Sequence, residues 1–481
     1  MRSKILALVL LLNMTAVNAA AQNSAAPPQS APPANAPSAQ QGTLEAGAPQ
    51  NPAQPSSQMP STPQIPTATQ PVRLTVQDAE AVALRNNPQI SVYRLLALAS
   101  QQVTREAKSS YYPTTYGSLT AVEPREGGRP PAGDRIAAGS LNNPIIYERF
   151  AYGVTLAQLI TDFGRTNNLV ATAALRAKAA DMNTVATAAQ IRLAVDQAFY
   201  NALQANAELK VAEQTVKARQ DVSDQITTLF NNKLKSQLDV SFANANLAQS
   251  KLLLLDAQNL YQAALSALSE VLGSTVQEQF ELIDTAAQLT PPPDAVSQLV
   301  DQAFSNRPEI AAQGYELQAS QRFQKAERDS LLPDIRALGT VGQVPTGAPQ
   351  LESWYGAIGV NVNIPIFNGF LYPARSKEAA LRAQADGERL RDLKNRIAND
   401  VRTTWLNAQT AYQRISVTHQ FVDQTNLAVD LSQTRYNLGL ASIVELSQAQ
   451  LQQTEAQIQF AAAKYQYQVQ QALLRFQIAA P

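Results

Sequence analysis

The feature that most constrains the fold is an internal duplication of about 200 residues. Val76 to Pro113 aligns with Val296 to Pro333 at a constant offset of 220. The first copy then carries a longer loop, after which the offset is 206 to the end of the chain. Solenoid repeats have periods of about 20–50 residues, so this period is far too long for a repeat array. We therefore predict two related halves of one domain.

The first 21 residues have the features of a secretory signal peptide. Arg2 and Lys4 precede a short apolar run, and an A-x-A cleavage site ends at Ala21. The run is shorter than the roughly 20 residues that a membrane-spanning helix needs. A short buried core segment is the alternative. We predict a signal peptide at residues 1–21 and an exported mature chain.

The remainder of the chain divides at changes in composition. Residues 22–71 are rich in Pro, Ala, Gln and Ser, which predicts a disordered linker, with partner binding by the prolines as an alternative. We place the first repeat at residues 72–273, an inter-repeat linker at 274–295 and the second repeat at 296–480.

Composition excludes several classes of function. The 481 residues include no cysteine, which removes disulfides, Cys-ligated metals and thiol nucleophiles. Lys plus Arg and Asp plus Glu both number 38, and no basic patch suggests nucleic-acid binding. There is no phosphate-binding loop, G-x-S-x-G motif or dinucleotide fingerprint. We expect no catalysis and no cofactor, and no stretch after residue 12 resembles a transmembrane helix.

Both copies predict the same order of helices. A proline at 88 or 308 ends a short helix and starts the next, because the residue before proline avoids the α region. A very long helix of about 67 residues, roughly 100 Å, matches the summed length of two shorter ones, which predicts a rod or tube. The predicted later helices cover 88–109, 165–231 and 236–272 in copy one, and 308–329, 374–437 and 442–478 in copy two.

Between the helices of each copy lie two strands with a membrane pattern. Apolar residues alternate with small or polar ones, as in strands with lipid on one face and water on the other. A strand in the sheet of a soluble domain is the alternative reading. The candidate membrane-strand residues are Tyr152, Val154 and Leu156 in copy one and Trp354, Ile358, Val360 and Val362 in copy two, with Phe367 and Phe370 as aromatic-girdle candidates.

Four strands per chain require more than one chain. A four-stranded sheet in lipid leaves two edges of unsatisfied backbone N–H and C=O groups, each costing several kcal/mol. Membrane barrels have at least about eight strands. Several chains must pool their strands, and these considerations allow either two or three.

The doubled features resemble the TolC-like outer membrane efflux proteins, from Leu74 to Ala480. The resemblance is carried by the NNP and NRP helix starts, by the strand-to-helix passages at 158–165 and 364–369, and by the hairpin at 435–446. It implies a mainly α fold in which a trimeric 12-stranded β-barrel is continued by a periplasmic α-helical barrel. It also implies docking to a periplasmic adaptor and an inner-membrane pump, in contact with outer-membrane lipid.

The resemblance also assigns roles at the hairpin tips. Asp239 and Tyr436 stand where the family has a latch between neighbouring helices, and Glu445 stands where members carry an acidic ring. The hairpin turn contains Gly439. Ala441 replaces a latch arginine of some members and Gln448 replaces a second acid.

A simpler role exists for both acids at the tips. Ser236 and Asp239, and likewise Ser442 and Glu445, have the spacing of a capping box, which explains the acids without a gate.

The resulting hypothesis is a passive exit duct for small molecules across the periplasm and outer membrane. A protein-secretion duct of the same fold is one alternative. An exported coiled coil or adhesin without a pore is another, although such a stalk does not need the alternating strands.

Overall fold

The computed structural model describes residues 72–122, 149–274, 280–284, 289–293, 295–343 and 354–479. The predicted signal peptide and proline-rich linker lie outside these residues. The first copy consists of β1 (Val72–Leu74), α1 (Val76–Asn86), α2 (Pro88–Ser109), β2 (Thr114–Val122), β3 (Arg149–Thr161), α3 (Arg165–Asn231) and α4 (Gln237–Leu272). The second consists of β4 (Phe280–Leu282), α5 (Val296–Asn306), α6 (Pro308–Asp329), β5 (Asp334–Gln343), β6 (Trp354–Asn363), α7 (Leu371–Asn437) and α8 (Ile443–Gln477).

The helix boundaries follow the predicted signals closely. Asn87 caps α2 by accepting a hydrogen bond from the Gln89 amide at 2.9 Å, and Pro88 occupies the first helical position. Helix α7 begins at Leu371, three residues before the predicted start. Pro373 is tolerated there because the first-turn amides have no intrahelical partner to lose.

The sequence analysis did not predict a short two-stranded sheet. Strand β4 lies within residues 274–295, which we predicted to be a linker, and pairs in parallel with β1 from Val72↔Phe280 to Leu74↔Leu282. Each strand has only three residues, too few to display an alternating pattern. The pairing joins the start of copy one to the start of copy two.

The four longer strands form one antiparallel sheet in the order β2-β3-β5-β6. Partners in register share a face, so Leu156, Gly339 and Ile358 lie on one side and Ala157, Leu338 and Gly359 on the other. The predicted alternation is therefore present in the structure. Among the described residues, no helix is both long and apolar enough to span a membrane.

The helices pack around three buried clusters. One lies where α1 meets α3 and α4, and includes Val195, Phe199 and Leu268. A second lies where α5 meets α7 and α8, around Val300 and Val401. The third joins the hairpin α3–α4 to the hairpin α7–α8 close to their turns, and includes Ile226, Val240, Tyr436, Ile443 and Leu446. The third cluster fixes the tips on which the candidate site lies.

Candidate functional site

The two helical hairpins end in turns of the same backbone form. Helix α3 ends at Asn231 and α7 at Asn437, and each is followed by a residue in the left-handed region, Lys233 with φ 61° and Gly439 with φ 75°. Nothing lies within 4 Å of a Cβ built on Gly439, so its backbone conformation, not crowding, favours glycine. We call these turns the first tip (232–236) and the second tip (438–442).

The first tip has the complete capping box. The Ser236 hydroxyl accepts from the Asp239 amide at 3.2 Å, and the Asp239 carboxylate accepts from the Ser236 amide at 3.0 Å and hydroxyl at 2.7 Å. These bonds satisfy two donors at the start of α4. One carboxylate oxygen of Asp239 therefore holds the helix start.

The second tip has only half of that motif. The Ser442 hydroxyl accepts from the Glu445 amide at 3.3 Å, but the Glu445 carboxylate lies 3.6 Å from the Arg435 guanidinium instead of returning to the Ser442 amide. The expectation of a reciprocal box at Ser442 and Glu445 was therefore wrong in this respect. The ion pair with Arg435 holds the carboxylate away from its cap position. Both side chains are about half exposed, so the pair contributes little stability.

Tyr436 lies buried between the tips. It is 3% exposed, and no hydrogen-bond partner for its hydroxyl is found among the described residues. Burial, and secondarily the charge of Asp239, raises the pKa of Tyr436 to about 12. Tyr436 and Asp239, predicted to form a latch, are therefore close to each other but not hydrogen-bonded.

A lysine from the first tip covers this tyrosine. The Lys235 ammonium lies 3.8 Å from the centroid of the Tyr436 ring and 3.5 Å from the Tyr436 carbonyl oxygen. An ammonium group over an aromatic face is attracted by the ring quadrupole. The contact joins the two hairpins across their turns.

Gln448 lies one turn beyond Glu445, in a groove between α4 and α8. The groove has a volume of about 550 Å³, and Gln448 is exposed on its wall with Val444 and Leu451. Arg219 of α3 reaches the same groove and donates to Gln450. Burial lowers the pKa of the Arg219 guanidinium to about 10, which leaves it charged at neutral pH.

The membrane-strand candidates project from one face of the sheet. Val154 and Leu156 on β3 are 44% and 41% exposed, and Tyr152 on the same face donates a hydrogen bond to Gln343. On β6, Ile358 is 93% exposed. Val360 and Val362 are in register with Ala337 and Ile335 and alternate with Asn361, so they share the face of Ile358 as predicted. The side chain of Trp354 lies outside the described part of the chain.

The girdle candidates lie where β6 passes into α7. Phe367 and Phe370 are both largely exposed, and their rings meet edge to face with centroids 5.5 Å apart. Phe370 caps α7 with φ 67°, whereas the equivalent position in copy one is Gly164 with φ 109°. Isolated exposed apolar residues are common on soluble proteins, but a whole face of them marks a contact surface.

Comparison with known proteins decides the family. The family model described as outer membrane efflux protein matches residues 81–274 and again residues 299–479. The chain belongs to the outer membrane efflux protein family. The double match coincides with the internal duplication.

Individual members of the efflux family are distant in sequence. Outer membrane protein TolC of Salmonella enteritidis is 22% identical over 263 residues, which cover 53% of each chain. The alkaline protease secretion protein AprF of Pseudomonas aeruginosa is 23% identical over 246 residues, or 49% of each chain. The chain thus aligns with about half the length of these curated relatives.

Structural similarity to the efflux family extends further along the chain. The Campylobacter jejuni CmeC outer membrane channel superposes with a TM-score of 0.72 at 17% identity, covering 84% of this chain and 85% of that one. The predicted fold class, a membrane sheet continued by a long helical body, is confirmed. Membership of the efflux family places the protein in the bacterial outer membrane, with the helical body in the periplasm.

The sequence analysis did not single out three basic residues at or near the tips: Lys235, Arg435 and Arg219. One signal was available, because Lys235 aligns with Ala441 at the offset of 206. The cation expected at Ala441 is absent there, but copy one carries a cation at the equivalent position. The Arg435–Glu445 pair could not be predicted from a local pattern, because its two exposed residues lie ten positions apart and meet only when the hairpin turns.

Proposed function

We propose that this protein is the exit duct of a tripartite export system. It forms a homotrimer whose strands close a 12-stranded barrel in the outer membrane. Its helical body receives solutes from a periplasmic adaptor and an inner-membrane pump. It conducts drugs and other small solutes passively and catalyses no reaction, so the energy for export comes from the pump.

The observation that carries this proposal is the state of the sheet edges. In the described residues, β2 and β6 each have a single hydrogen-bonded neighbour strand, while one face of the sheet is apolar and exposed. In lipid those two edges would leave unsatisfied backbone groups at several kcal/mol each. Pairing β2 of one chain with β6 of the next removes both edges, and three chains of four strands supply 12.

The tips support contact with a partner. Four leucines at or next to the turns are 64% to 69% exposed: Leu234, Leu238, Leu438 and Leu440. Apolar side chains concentrated at the end of a rod favour docking of another protein. We assign this end to the adaptor.

The tips also carry the proposed gate. Lys235 over the Tyr436 ring holds the hairpins together, with Asp239 close by, and Glu445 places a carboxylate beside the turn that Gly439 makes. Three such carboxylates around one axis would favour cations. Arg435 neutralises part of that charge at 3.6 Å. Gln448 adds no charge, so the ring is single.

Planar-bilayer conductance of the purified protein tests both duct and gate. We expect discrete channels from a species with the mass of a trimer. A monomer that dissolves without detergent and conducts under no condition would refute the duct. In a KCl gradient, Glu445→Gln should lower the cation-to-anion permeability ratio and Arg435→Gln should raise it, each about twofold. Unchanged reversal potentials in both variants would refute the gate role of Glu445 and leave its carboxylate as the partner of Arg435 alone.

Protein secretion is a second candidate, favoured by the similarity to a relative named as an alkaline protease secretion protein. A deletion strain separates the two. If small solutes are the substrates, the strain accumulates ethidium and its secreted proteins are unchanged. If proteins are the substrates, a secreted protein disappears from the medium and ethidium accumulation stays at the parental level.

A further inference from the structure

A polar recess lies where the sheet meets the long helices. It has a volume of about 470 Å³ and is lined by the first turns of α3 and α7, the end of α6 and the bases of the strands. Its strand residues include Ala157, Asp334 and Asn363, all on the face opposite Leu156 and Ile358. Under the proposed function this is the water-facing side, so the recess opens to the pore.

Three aspartates in the recess are already engaged by the protein. Asp162 accepts from the amides of Gly164 and Thr166 at 3.2 and 2.7 Å, which caps α3. Asp334 accepts from Asn363 at 2.9 Å and from Arg336 at 2.8 Å.

Asp329 is engaged in the same way. Its carboxylate accepts from Asn168 at 2.8 Å, and its second oxygen lies 3.9 Å from Arg328. All six carboxylate oxygens of the recess therefore have a partner within the chain.

Two arginines in the recess are not engaged in this way. Arg165 makes one hydrogen bond, from its Nε to Ser330 at 3.0 Å, and its charge also acts on Asp334 without an ion pair at contact distance. Its two terminal nitrogens, and the whole guanidinium of Arg375, have no hydrogen-bond or ion-pair partner in the part of the chain that the structure describes. Both side chains line the recess.

The placement of these arginines is not explained by helix stability. Arg165 is the first residue of α3, where the helix dipole opposes a cation. The two arginines also occupy different positions in the two copies. At the offset of 206, Arg165 aligns with Leu371, and Arg375 aligns with Leu169, which lines the recess as well. Each long helix thus contributes one arginine to the same space.

We propose that Arg165 and Arg375 form an oxyanion subsite in the wall of the pore, one that takes phosphate- or carboxylate-bearing solutes. Guanidinium groups bind such oxyanions through paired N–H donors. The subsite rests on the proposed function for its access to the pore. In the duct it gives the sheet end a preference for anions, in contrast to the acidic tip at Glu445.

Two measurements on Arg165→Gln/Arg375→Gln test the subsite, with inorganic pyrophosphate as the probe. By titration calorimetry of the detergent-solubilised trimer at low salt, the wild type should bind pyrophosphate and the double variant should bind it at least about tenfold more weakly. In bilayers at 0.1 M KCl, the anion-to-cation permeability ratio should fall about two- to threefold, and the difference should shrink at 1 M KCl because salt screens charges.

Matched variants isolate the recess from general charge effects. Arg94→Gln/Arg402→Gln also removes two positive charges, but from exposed positions that do not line the recess, and it should leave pyrophosphate binding unchanged. Arg165→Lys/Arg375→Lys keeps the charge and should keep the ion preference. An equal loss of binding in Arg94→Gln/Arg402→Gln would overturn the subsite.

The remaining outcomes separate the two proposals. If the wild type binds no pyrophosphate, or the double variant binds it equally well, the subsite is wrong even where the channel conducts normally. If pyrophosphate binding depends on the two arginines but neither the wild type nor any variant conducts ions, the subsite stands and the duct is refuted.

Discussion

In both copies a short helix packs on the long helix, but the contact is charged in copy one and apolar in copy two. In copy two, Val300 of α5 lies with Ala398 and Val401 of α7 in one buried apolar cluster. At the equivalent positions copy one has Glu80 on α1 and Arg192 on α3, with their charged groups 3.1 Å apart.

The charged version carries an additional buried acid. Asp196, one turn beyond Arg192, is 5% exposed, and one of its carboxylate oxygens has no hydrogen-bond partner among the described residues. Its other oxygen lies 3.9 Å from Arg475 of α8. Its counterpart in copy two is Arg402, which is exposed. Arg192 and Glu80 are partly exposed, so the cost lies in the buried Asp196: replacing a buried charge by an apolar residue is often neutral or stabilising, which makes copy one the more costly arrangement.

The test with the largest expected effect places the carboxylate of Glu80 at the equivalent position of copy two, Val300. Val300→Glu puts a carboxylate at a 6% exposed site without the arginine that faces it in copy one. A buried unpaired charge costs about 3–5 kcal/mol, so we expect the free energy of unfolding to fall by that amount. Guanidinium titration followed by circular dichroism measures it.

The control for this variant restores the partner. Val300→Glu/Ala398→Arg recreates the Glu80–Arg192 pair at the second interface and should recover part of the loss. A Val300→Glu protein as stable as the wild type would show that the contact of α5 with α7 tolerates an unpaired charge. The contrast between a charged contact in copy one and an apolar contact in copy two would then disappear.

The next test concerns pH and the acid that only copy one has. Burial, and secondarily the charge of Glu80, raises the pKa of Asp196 to about 7, although Arg475 and Arg192 oppose the shift. The unfolded chain ionises near the ordinary value of 3.8, so it releases its proton first. Stability from this group is therefore full below pH 4 and is lost as pH rises to about 7, by at most about 1.4 kcal/mol per pH unit.

Asp196→Asn should remove that slope. Between pH 4 and 7 the stability of the wild type should fall relative to the variant, and above pH 7 the variant should be the more stable protein. Asp392→Asn changes an exposed acid that pairs with Arg396 and serves as the control. Parallel stability curves for wild type and Asp196→Asn would mean that Asp196 is ionised throughout this range. The groups that face Asp196 are Glu80 of α1, Arg192 and Tyr200 of α3, and Arg475 of α8.

Most of the fold was predictable because its signals are local and doubled. The prolines at 88 and 308 mark helix starts, and the alternation around Val360 marks a strand without reference to the rest of the chain. Strand β4 was missed because three residues carry no period. Helix α7 starts at Leu371 and not at 374, because a proline in the first turn, here Pro373, loses no intrahelical hydrogen bond.

The candidate site was less predictable because it depends on long-range contacts. Glu445 could be singled out by its spacing from Ser442, but its partner Arg435 is determined by how the hairpin turns. Lys235 reaches Tyr436 across 201 positions of sequence, and no local pattern encodes that contact. The arginines of the recess likewise come from different copies and meet only in the folded chain.

The tips offer a smaller test, in which the second copy is made like the first. Tyr436 aligns with Phe230, and its buried hydroxyl has no partner. Tyr436→Phe removes an unsatisfied polar group without changing the ring, so we expect the tip to be unchanged or stabilised by about 1 kcal/mol. Hydrogen exchange of the α7–α8 turn measures this.

A latch through the hydroxyl predicts the reverse outcome. If Tyr436 bonds to Asp239 in the resting trimer, Tyr436→Phe would speed exchange at both tips and raise channel conductance. Tyr436→Ala serves as the positive control, because removal of this 3% exposed ring from the cluster with Leu446 should open the tip under either reading.

The smallest expected effect makes the first tip like the second. Lys233 has φ 61°, a conformation that an L-residue other than glycine adopts at a cost of about 1 kcal/mol, whereas the equivalent Gly439 adopts φ 75° freely. Lys233→Gly should therefore stabilise the first tip by at most about 1 kcal/mol, since the gain is reduced by the greater freedom of glycine in the unfolded chain. Gly439→Ala should destabilise the second tip by a similar amount. Slower hydrogen exchange at residues 232–236 in Lys233→Gly, with faster exchange at 438–442 in Gly439→Ala, would show that the two turns differ in backbone strain and not in their contacts. Faster exchange in Lys233→Gly would instead mean that the lysine side chain holds the turn, and the two tips would then differ in kind.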